Sequence, residues 1–279
     1  PGVKAFYYSH NNRLEIIWTA VPAFVLAIII ILGLNSWNDL TAMSPKNAKV
    51  IELYAKQFDW TARYSGIDNK LGLHDYKLTL GNNELGIITT NTIDSAITDM
   101  ENGATGLNSI KEKLNDAALI FSDSAVKAMT LEISRKERLL TLMKQMKSHH
   151  DKKNDKMAWN DFIQKDTLYL CVDQPYEFKL RSRDIIHSAY FPHFRAQMNC
   201  VPGVRTRMKF TPNLTTKEMR KKMNNDKFHF VLMCNKICGG AHYKMKMMVV
   251  VLNKKEYKSW EKSKMKNGTF KKSYFPKKS

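Results

Sequence analysis

The sequence predicts a membrane-anchored, all-β protein: a transmembrane helix followed by a β-sandwich with a helical insertion. Three observations carry that prediction. Residues 16–34 (IIWTAVPAFVLAIIIILGL) contain no charge, and about 20 apolar residues are what a helix needs to cross a hydrocarbon core. Later in the chain, short stretches with alternating or continuous apolar character are separated by turn residues, as sandwich strands are. Within that strand-rich part, residues 82–162 change to helical spacing.

The elements follow in chain order. Residues 1–13 form an N-terminal segment on the cytoplasmic side, and 14–37 form the transmembrane helix. Trp18 and Trp37 stand near the ends of the apolar run, where interfacial aromatics belong, and Pro22 lies within its first turns. A signal peptide has a shorter apolar core that closes on a small-residue cleavage site, and none follows here. The chain begins with Pro1 rather than Met, so an earlier segment is expected upstream.

Residues 38–81 are a connection and the first strand region, with 50–64 (VIELYAKQFDWTARY) read as one strand placing Val50, Tyr54, Phe58, Trp60 and Tyr64 on one face. In the 82–162 insertion, 107–119 and 124–148 have helical spacing. Val126, Met129, Ile133, Leu140 and Met143 form one stripe of the second helix, and Ser122 or Asp123 is placed to cap it. Residues 147–156 (KSHHDKKNDK) read as a solvated loop. The main β-domain, 163–252, carries strand signals at 167–172, 176–183, 204–210, 228–233 and 245–252, read as antiparallel. The tail, 253–279, holds ten Lys against two Glu without a periodic apolar pattern, so most of it is expected to be flexible. No internal repeat is present.

Composition narrows the function classes. A hydrophobic fraction of 43% excludes a wholly disordered chain, and 12 Gly with 8 Pro exclude collagen-like sequence. Four Cys in 279 residues are too few for a disulfide scaffold, so their role is local. A mean hydropathy of −0.42 conceals the apolar block. The formal charge of +19 raises nucleic acid, anionic membrane or an acidic protein as partners. Nucleic acid is disfavoured, because no recognition motif is present and it would have to be reached from outside a membrane.

The chemistry concentrates between the last two strand signals, in Cys234-Asn-Lys-Ile-Cys238-Gly-Gly-Ala-His242-Tyr-Lys-Met245. Two thiolates, an imidazole and a thioether form a soft donor set, which selects copper or zinc over magnesium or calcium. A second Cys allows two metal ions to be bridged, and the glycines at 239 and 240 let the backbone fold tightly. A local disulfide and a structural zinc site are the alternatives, although tetrahedral zinc seldom uses Met. A further imidazole is needed from elsewhere; His187, placed at the start of a loop after the 176–183 strand, is the best candidate, ahead of His193 and His229. Cys171 and Cys200 sit singly in apolar surroundings and read as packing residues.

With these residues assembled, the chain resembles subunit II of a bacterial haem–copper cytochrome c oxidase. The resemblance covers 14–34, 50–64 and 166 to about 260. It rests on C-x-x-x-C-G-x-x-H-x-x-M at 234–245, on Asp184-Ile-Ile-His187-Ser188 and on Val201-Pro202-Gly203. It implies a cupredoxin-like Greek-key sandwich holding the binuclear copper centre CuA. By that resemblance Cys234 and Cys238 bridge both coppers, His187 and His242 bind one each, Met245 is a weak axial ligand, and the backbone carbonyl of Lys236 serves the other copper. Asp184 is expected to orient His187. The implied partners are oxidase subunit I, which holds the haem, other oxidase subunits, membrane lipid, and cytochrome c or a cytochrome-bearing donor complex. The implied activity is electron relay for oxygen reduction coupled to proton pumping. The implied location is the bacterial inner membrane, with the copper domain on the periplasmic face. A membrane-anchored copper protein of nitrogen-oxide respiration is the alternative.

The resemblance also places Glu15 at the mouth of a proton pathway and the family's first transmembrane helix upstream of Pro1. Three departures stand out. Lys236 replaces a Glu that binds magnesium through its side chain, so no side-chain ligand to that magnesium is expected here. In Gln57-Phe58-Asp59-Trp60, Phe58 replaces the Trp thought to receive electrons, while Trp60 is kept. The 82–162 insertion has no counterpart in the basic pattern and is expected to contact another subunit. The basic balance, finally, suggests an acidic or neutral donor, or tail contact with anionic lipid and neighbouring subunits.

Overall fold

The computed structural model describes residues 2–5, 7, 9–79, 83–116 and 119–267. The chain divides into two units, Pro1–Ser44 and Pro45–Ser279.

The first unit is a single helix, α1 (Asn12–Thr41). Asn11 caps it, its side chain accepting from the Leu14 N–H at 3.1 Å. Glu15 answers by accepting from the Asn11 N–H at 3.3 Å, so this carboxylate closes the first turn. Residues Asn12–Asp39 are long and apolar enough to cross a membrane. Because the helix begins four residues before the apolar run, Pro22 lies in its interior rather than its first turns, and it leaves one carbonyl without an amide donor.

The second unit is a sandwich of two five-stranded sheets. Ten strands build it: β1 (Lys49–Lys56), β2 (Asp59–Tyr64), β3 (Phe162–Lys165), β4 (Thr167–Cys171), β5 (Tyr176–Ser182), β6 (His187–Phe191), β7 (Ala196–Cys200), β8 (Thr206–Phe210), β9 (Phe230–Cys234) and β10 (Lys246–Leu252). The sheet orders are β3-β2-β1-β5-β8 and β4-β10-β9-β6-β7. The sandwich is mixed rather than antiparallel: β1 runs parallel to β5, and β10 parallel to β4. Long connections separate each of these pairs in sequence, which is what parallel neighbours require. The inner faces meet in one core, where Leu53, Phe178, Leu180, Phe191 and Leu232 are fully buried.

The stretch read as one strand over 50–64 is a hairpin. It turns at Gln57 and Phe58, with Lys56 paired to Asp59 and Ala55 to Trp60. The turn reverses the parity of the inward positions. Ile51, Leu53 and Ala55 face the main core before it, and Trp60, Ala62 and Tyr64 after it. Tyr54 belongs to the opposite face, where it packs with Leu85, Ile87 and Ala158 of the insertion.

The insertion contains α2 (Thr90–Asn102), α3 (Leu107–Asn115) and α4 (Asp123–His149). A capping box between Thr89 and Thr92 starts α2, and Ser122 caps α4. Ile93, Ala96 and Met100 of α2 close on Met143 of α4 in a separate small core. The α4 stripe is packed only towards its C-terminal end: Met143 is buried, whereas Val126 is exposed. The supposed loop over 147–156 is also ordered. α4 runs to His149, and a 3₁₀ turn follows at Lys152–Ala158. Asp155 joins the two ends of the insertion, contacting His150 Nε2 at 2.7 Å and accepting from the Thr90 hydroxyl at 2.8 Å.

Two further helices complete the unit, α5 (Thr216–Met223) and α6 (Lys254–Asn267). The latter corrects the expectation of a flexible tail up to Asn267; residues 268–279 lie outside the described ones. Tyr257 of α6 is buried, and Trp260 packs on Tyr169 and Tyr64 at centroid distances of 4.7 and 5.2 Å. Glu261 pairs with Lys49. Aromatics three residues apart thus fasten a helix that is otherwise rich in Lys.

A buried charge network ties the first sheet to both ends of the excursion between β2 and β3. Arg63 donates to Asp161, to the Gly72 carbonyl at 2.8 Å and to Glu52 at 3.3 Å. Arg181 donates to Glu52 at 2.7 Å. Burial works to raise Glu52, but Arg181 and Arg63 prevail and bring it down to about 2. His74 lies beside Glu52 at 3.9 Å. Burial dominates there and lowers its imidazole to about 4. The unfolded chain binds this proton near pH 6.5, the folded chain only near pH 4. The contribution is therefore complete above pH 6.5 and is lost as pH falls to 4, by up to about 3 kcal/mol. The urea midpoint of the full chain is expected to fall across that window, and His74→Gln to flatten the fall. An unchanged slope in the variant would assign the acid sensitivity to other groups.

Candidate metal centre

The donors converge at one end of the sandwich. β9 ends on Cys234, and the loop to β10 returns through Cys238, a 3₁₀ turn at His242–Lys244, and Met245. The Cys234 and Cys238 sulfurs lie 3.8 Å apart, and both cysteines are free. His187 Nδ1 is 3.8 Å from Cys234 Sγ, while His242 Nδ1 is 3.3 Å from Cys238 Sγ. Met245 Sδ stands 3.8 Å from Cys238 Sγ, and the Lys236 carbonyl 3.2 Å from Cys234 Sγ. The donor atoms of His187, Cys234 and Cys238 fall within 4.8 Å of one another. The Lys236 side chain is exposed.

His187 is the first residue of β6, not part of a loop, and the β6–β9 pairing of Ala189 with Cys234 carries it to the thiols. Its ring is fully buried and fixed from behind, with Nε2 2.8 Å from Asp184 Oδ1. The Nδ1 edge is thereby turned to the sulfurs. Burial works to raise Asp184, but hydrogen bonds from the Gln57 N–H, His187 and the Ile185 N–H hold it below the ordinary carboxylate range. Burial, with the Cys234 thiol alongside, pushes Cys238 up to about 11, so metal uptake must displace a thiol proton.

Sequence reasoning missed Gln57. Its side-chain amide donates to the Cys238 carbonyl at 2.5 Å, and its backbone N–H donates to Asp184 at 2.7 Å. One turn residue therefore ties the metal loop to the His187 support. Gly239 lies against the same turn at φ +124°, where a Cβ would come within 3.0 Å of Gln57 and Phe58. Trp60 is buried with its ring edge towards His187 at 6.4 Å, whereas Phe58 is half-buried over the loop. The remaining candidates stay outside. His193 sits edge-on against Phe228 at 5.1 Å, and His229, which precedes β9 rather than lying within it, contacts Arg220 at 3.2 Å. Cys171 and Cys200 are buried packing residues.

Comparison with known proteins finds relatives of one kind. No family model matches the chain. The alternative cytochrome c oxidase subunit 2 of Bradyrhizobium diazoefficiens is 24% identical over 260 residues, covering 93% of this chain and 66% of that protein. The chain is similar to cytochrome c oxidase subunit 2 over nearly all of its own length. A second subunit 2, from Corynebacterium glutamicum, is 22% identical over 250 residues, covering 89% of this chain and 57% of its own length. The chain thus spans about two thirds or less of these relatives. Among solved structures, the periplasmic domain of subunit II of cytochrome oxidase from Bradyrhizobium japonicum aligns with 81% of this chain and all of its own, at 15% identity and a TM-score of 0.40.

Two thiols, two imidazole nitrogens, a thioether and a carbonyl are compatible with copper: the set is soft, mostly buried and oriented by a carboxylate behind it. Asp184→Ala is expected to weaken copper affinity about 10- to 100-fold, measured by competition with a chelator. A change below about twofold would remove Asp184 from the site's support.

Proposed function

We propose that the chain is the electron-accepting subunit of a haem–copper cytochrome c oxidase, anchored by α1 in a bacterial inner membrane with its sandwich on the periplasmic side. The observation that carries the reading is the meeting of Cys234, Cys238, His187, His242, Met245 and the Lys236 carbonyl at one end of the sandwich. Cys234, Cys238, His187, His242, Met245 and the Lys236 carbonyl would hold a pair of copper ions there, with the two thiolates as the shared donors. Bound there, a copper pair supplies one-electron redox chemistry. The chain's residues hold donor positions fixed while charge changes, so little reorganisation accompanies each electron. Asp184 keeps the His187 ring oriented, Gln57 ties the loop to that support, and burial of Cys238 and Met245 limits water. With copper held there, the site would serve one-electron transfer between a cytochrome c, free or held in a donor complex, and the haem of subunit I. No covalent bond forms or breaks in this chain, and oxygen reduction with proton pumping takes place in subunit I.

Electron paramagnetic resonance and optical spectra of the copper-loaded chain test the reading. A purple species with one unpaired electron shared over two coppers is expected. A blue mononuclear spectrum, or tight zinc binding without a copper signal, would overturn it.

A further inference from the structure

The second unit begins at Pro45, and its first strand is fastened to its last helix. Lys49, the first residue of β1, pairs with Glu261 of α6 and sets its ammonium 4.8 Å from the centre of the Tyr257 ring. The entry loop is tied in as well. The Gln174 side chain donates to the Asn47 carbonyl at 2.8 Å, and the Asn69 side chain to the Ala48 carbonyl at 2.7 Å. α6 therefore lies where the chain enters the sandwich. Only residues 42–48 separate β1 from α1, a tether of about 25 Å when fully extended.

α6 divides its side chains between two faces. Tyr257 and Trp260 pack inward, whereas Lys254, Lys255, Lys258 and Lys262 are exposed. Lys254, Lys258 and Lys262 recur every four residues, so they stand in one row with Lys255 beside it. Glu261 is the acid next to that row, and Lys49 takes it. Glu256 has Asn253 on one side and Ser259 and Trp260 on the other at helical spacing, so it does not reach the row. Asp173, in the turn after β4, is close enough to Cys171 to act on it, as Lys254 is, and can offset one lysine of the four. In the entry loops Lys46 and Lys70 stand against Asp68. Like charges four residues apart destabilise the helix that carries them. Among the described residues no ion pair relieves Lys254, Lys258 or Lys262.

We propose that this lysine row docks α6 on the phosphate headgroups of anionic lipid, in the membrane that α1 enters. The inference goes beyond the electron-relay reading: it needs α1 in lipid and no copper. The make-up of the row favours lipid over a protein partner. Lys and Ser alone are presented there, at 254, 255, 258, 259, 262 and 263, whereas protein interfaces are depleted in Lys and centred on aromatic residues, Met and Arg. An ammonium is a point charge on a flexible stem, so it follows mobile headgroups without the fixed fork of Arg. Each lysine near an anionic lipid surface adds to the attraction. Beyond α6, the sequence adds Lys271, Lys272, Lys277 and Lys278 with Phe270, Tyr274 and Phe275 and no acid, a composition suited to the headgroup boundary.

The test uses the full chain in lipid nanodiscs, of neutral phosphatidylcholine in one set and containing phosphatidylglycerol in the other, with hydrogen exchange of the 254–265 amides as the readout. Protection of α6 is expected to be about tenfold higher in the anionic discs at low salt, and to fall to the neutral value as salt screens the row. Lys254→Gln with Lys258→Gln and Lys262→Gln is expected to abolish that gain. In neutral discs this variant is expected to exchange no faster than the parent, since all three positions are exposed and the like-charge row is gone. The same three positions changed to Arg are expected to keep the gain. Lys127→Gln with Lys152→Gln and Lys153→Gln, exposed on the insertion, is also expected to keep it, which separates the row from the net charge of +19. Equal protection in the two discs, an undiminished gain in the α6 glutamine variant, its loss in the insertion variant, or equal protection by inorganic phosphate or polyglutamate in neutral discs would overturn the proposal. A chain that does not enter neutral discs at all fails the anchoring by α1, and the proposal with it. The relay reading is judged separately, by the copper spectra.

Discussion

Cys238→Ser is expected to leave the sandwich folded and to abolish the paired-copper site. Cys238 is the hub of the donor set, with its sulfur in contact with Cys234, His242 and Met245 at 3.8, 3.3 and 3.8 Å. A serine hydroxyl in its place is a hard donor that keeps its proton at neutral pH, so it cannot bridge soft metal ions as a thiolate does. The structural cost is small, about 1 kcal/mol, since the volume change is slight and no core side chain is truncated. Copper content, measured with the resonance spectrum, should fall from two ions per chain to at most one, and the mixed-valence signal should vanish. Cys171→Ser is the control. That thiol is also buried, raised above its ordinary range by burial, and makes its contact with the Val172 carbonyl. It should retain the full copper signal. A shared-electron spectrum surviving in Cys238→Ser, or lost in Cys171→Ser, would place the metals elsewhere.

The metal loop was legible because its chemistry is local: four donors within 12 consecutive residues keep their spacing whatever the sheets do. His187 could be named from the residues only as the best of three candidate imidazoles, since strand pairing between β6 and β9 brings it to the thiols across 47 positions. The strand at Thr206–Phe210 was readable from strict alternation, because one of its faces stays outside the core. Alternation misled at β1 and β2. The turn at Gln57 and Phe58 carries no Gly, Asn or Pro, and with the insertion covering the outer face, both faces of β1 are buried. The parallel pairings of β1 with β5 and of β4 with β10 leave no local signal at all. In α6, three buried or half-buried side chains, Tyr257, Trp260 and Met265, were outnumbered by lysines, so a helical period was present but faint.

The basic balance gains meaning from where the acids go. Glu52, Asp161, Asp155 and Asp184 are spent on internal arginines, histidines and amides. Glu52 and Asp161 cancel the arginines they bind, Arg63 and Arg181, so the formal excess of +19 is left to the other side chains.

That internal network also sets the largest stability effect expected in this chain. Arg63 has no exposed side-chain surface, and neither does Asp161. The guanidinium bridges Glu52 on β1, the Gly72 carbonyl before the insertion and Asp161 after it, while the Gly72 N–H donates to Asp161 at 3.0 Å. Arg63→Ala removes the only cation reaching Asp161 among the described residues and leaves a buried carboxylate with a void beside it. A loss of about 3–5 kcal/mol follows for an ion pair broken on one side, read as a fall in the urea midpoint of the full chain. The pH dependence identifies the cause. Burial raises Asp161 to about 6 even against the pull of Arg63, so in the variant this acid prefers its proton still more strongly. A raised carboxyl favours folding below its unfolded value and opposes it as pH rises through the folded one. The deficit of Arg63→Ala relative to the parent should therefore be widest at pH 7 and shrink as pH falls towards 4. Adding Asp161→Asn should recover part of the loss at pH 7, because it removes the stranded charge and keeps an acceptor for the Gly72 N–H. A deficit below about 1 kcal/mol, or one independent of pH, would mean that packing around residue 63, rather than charge, joins the insertion to the sheet.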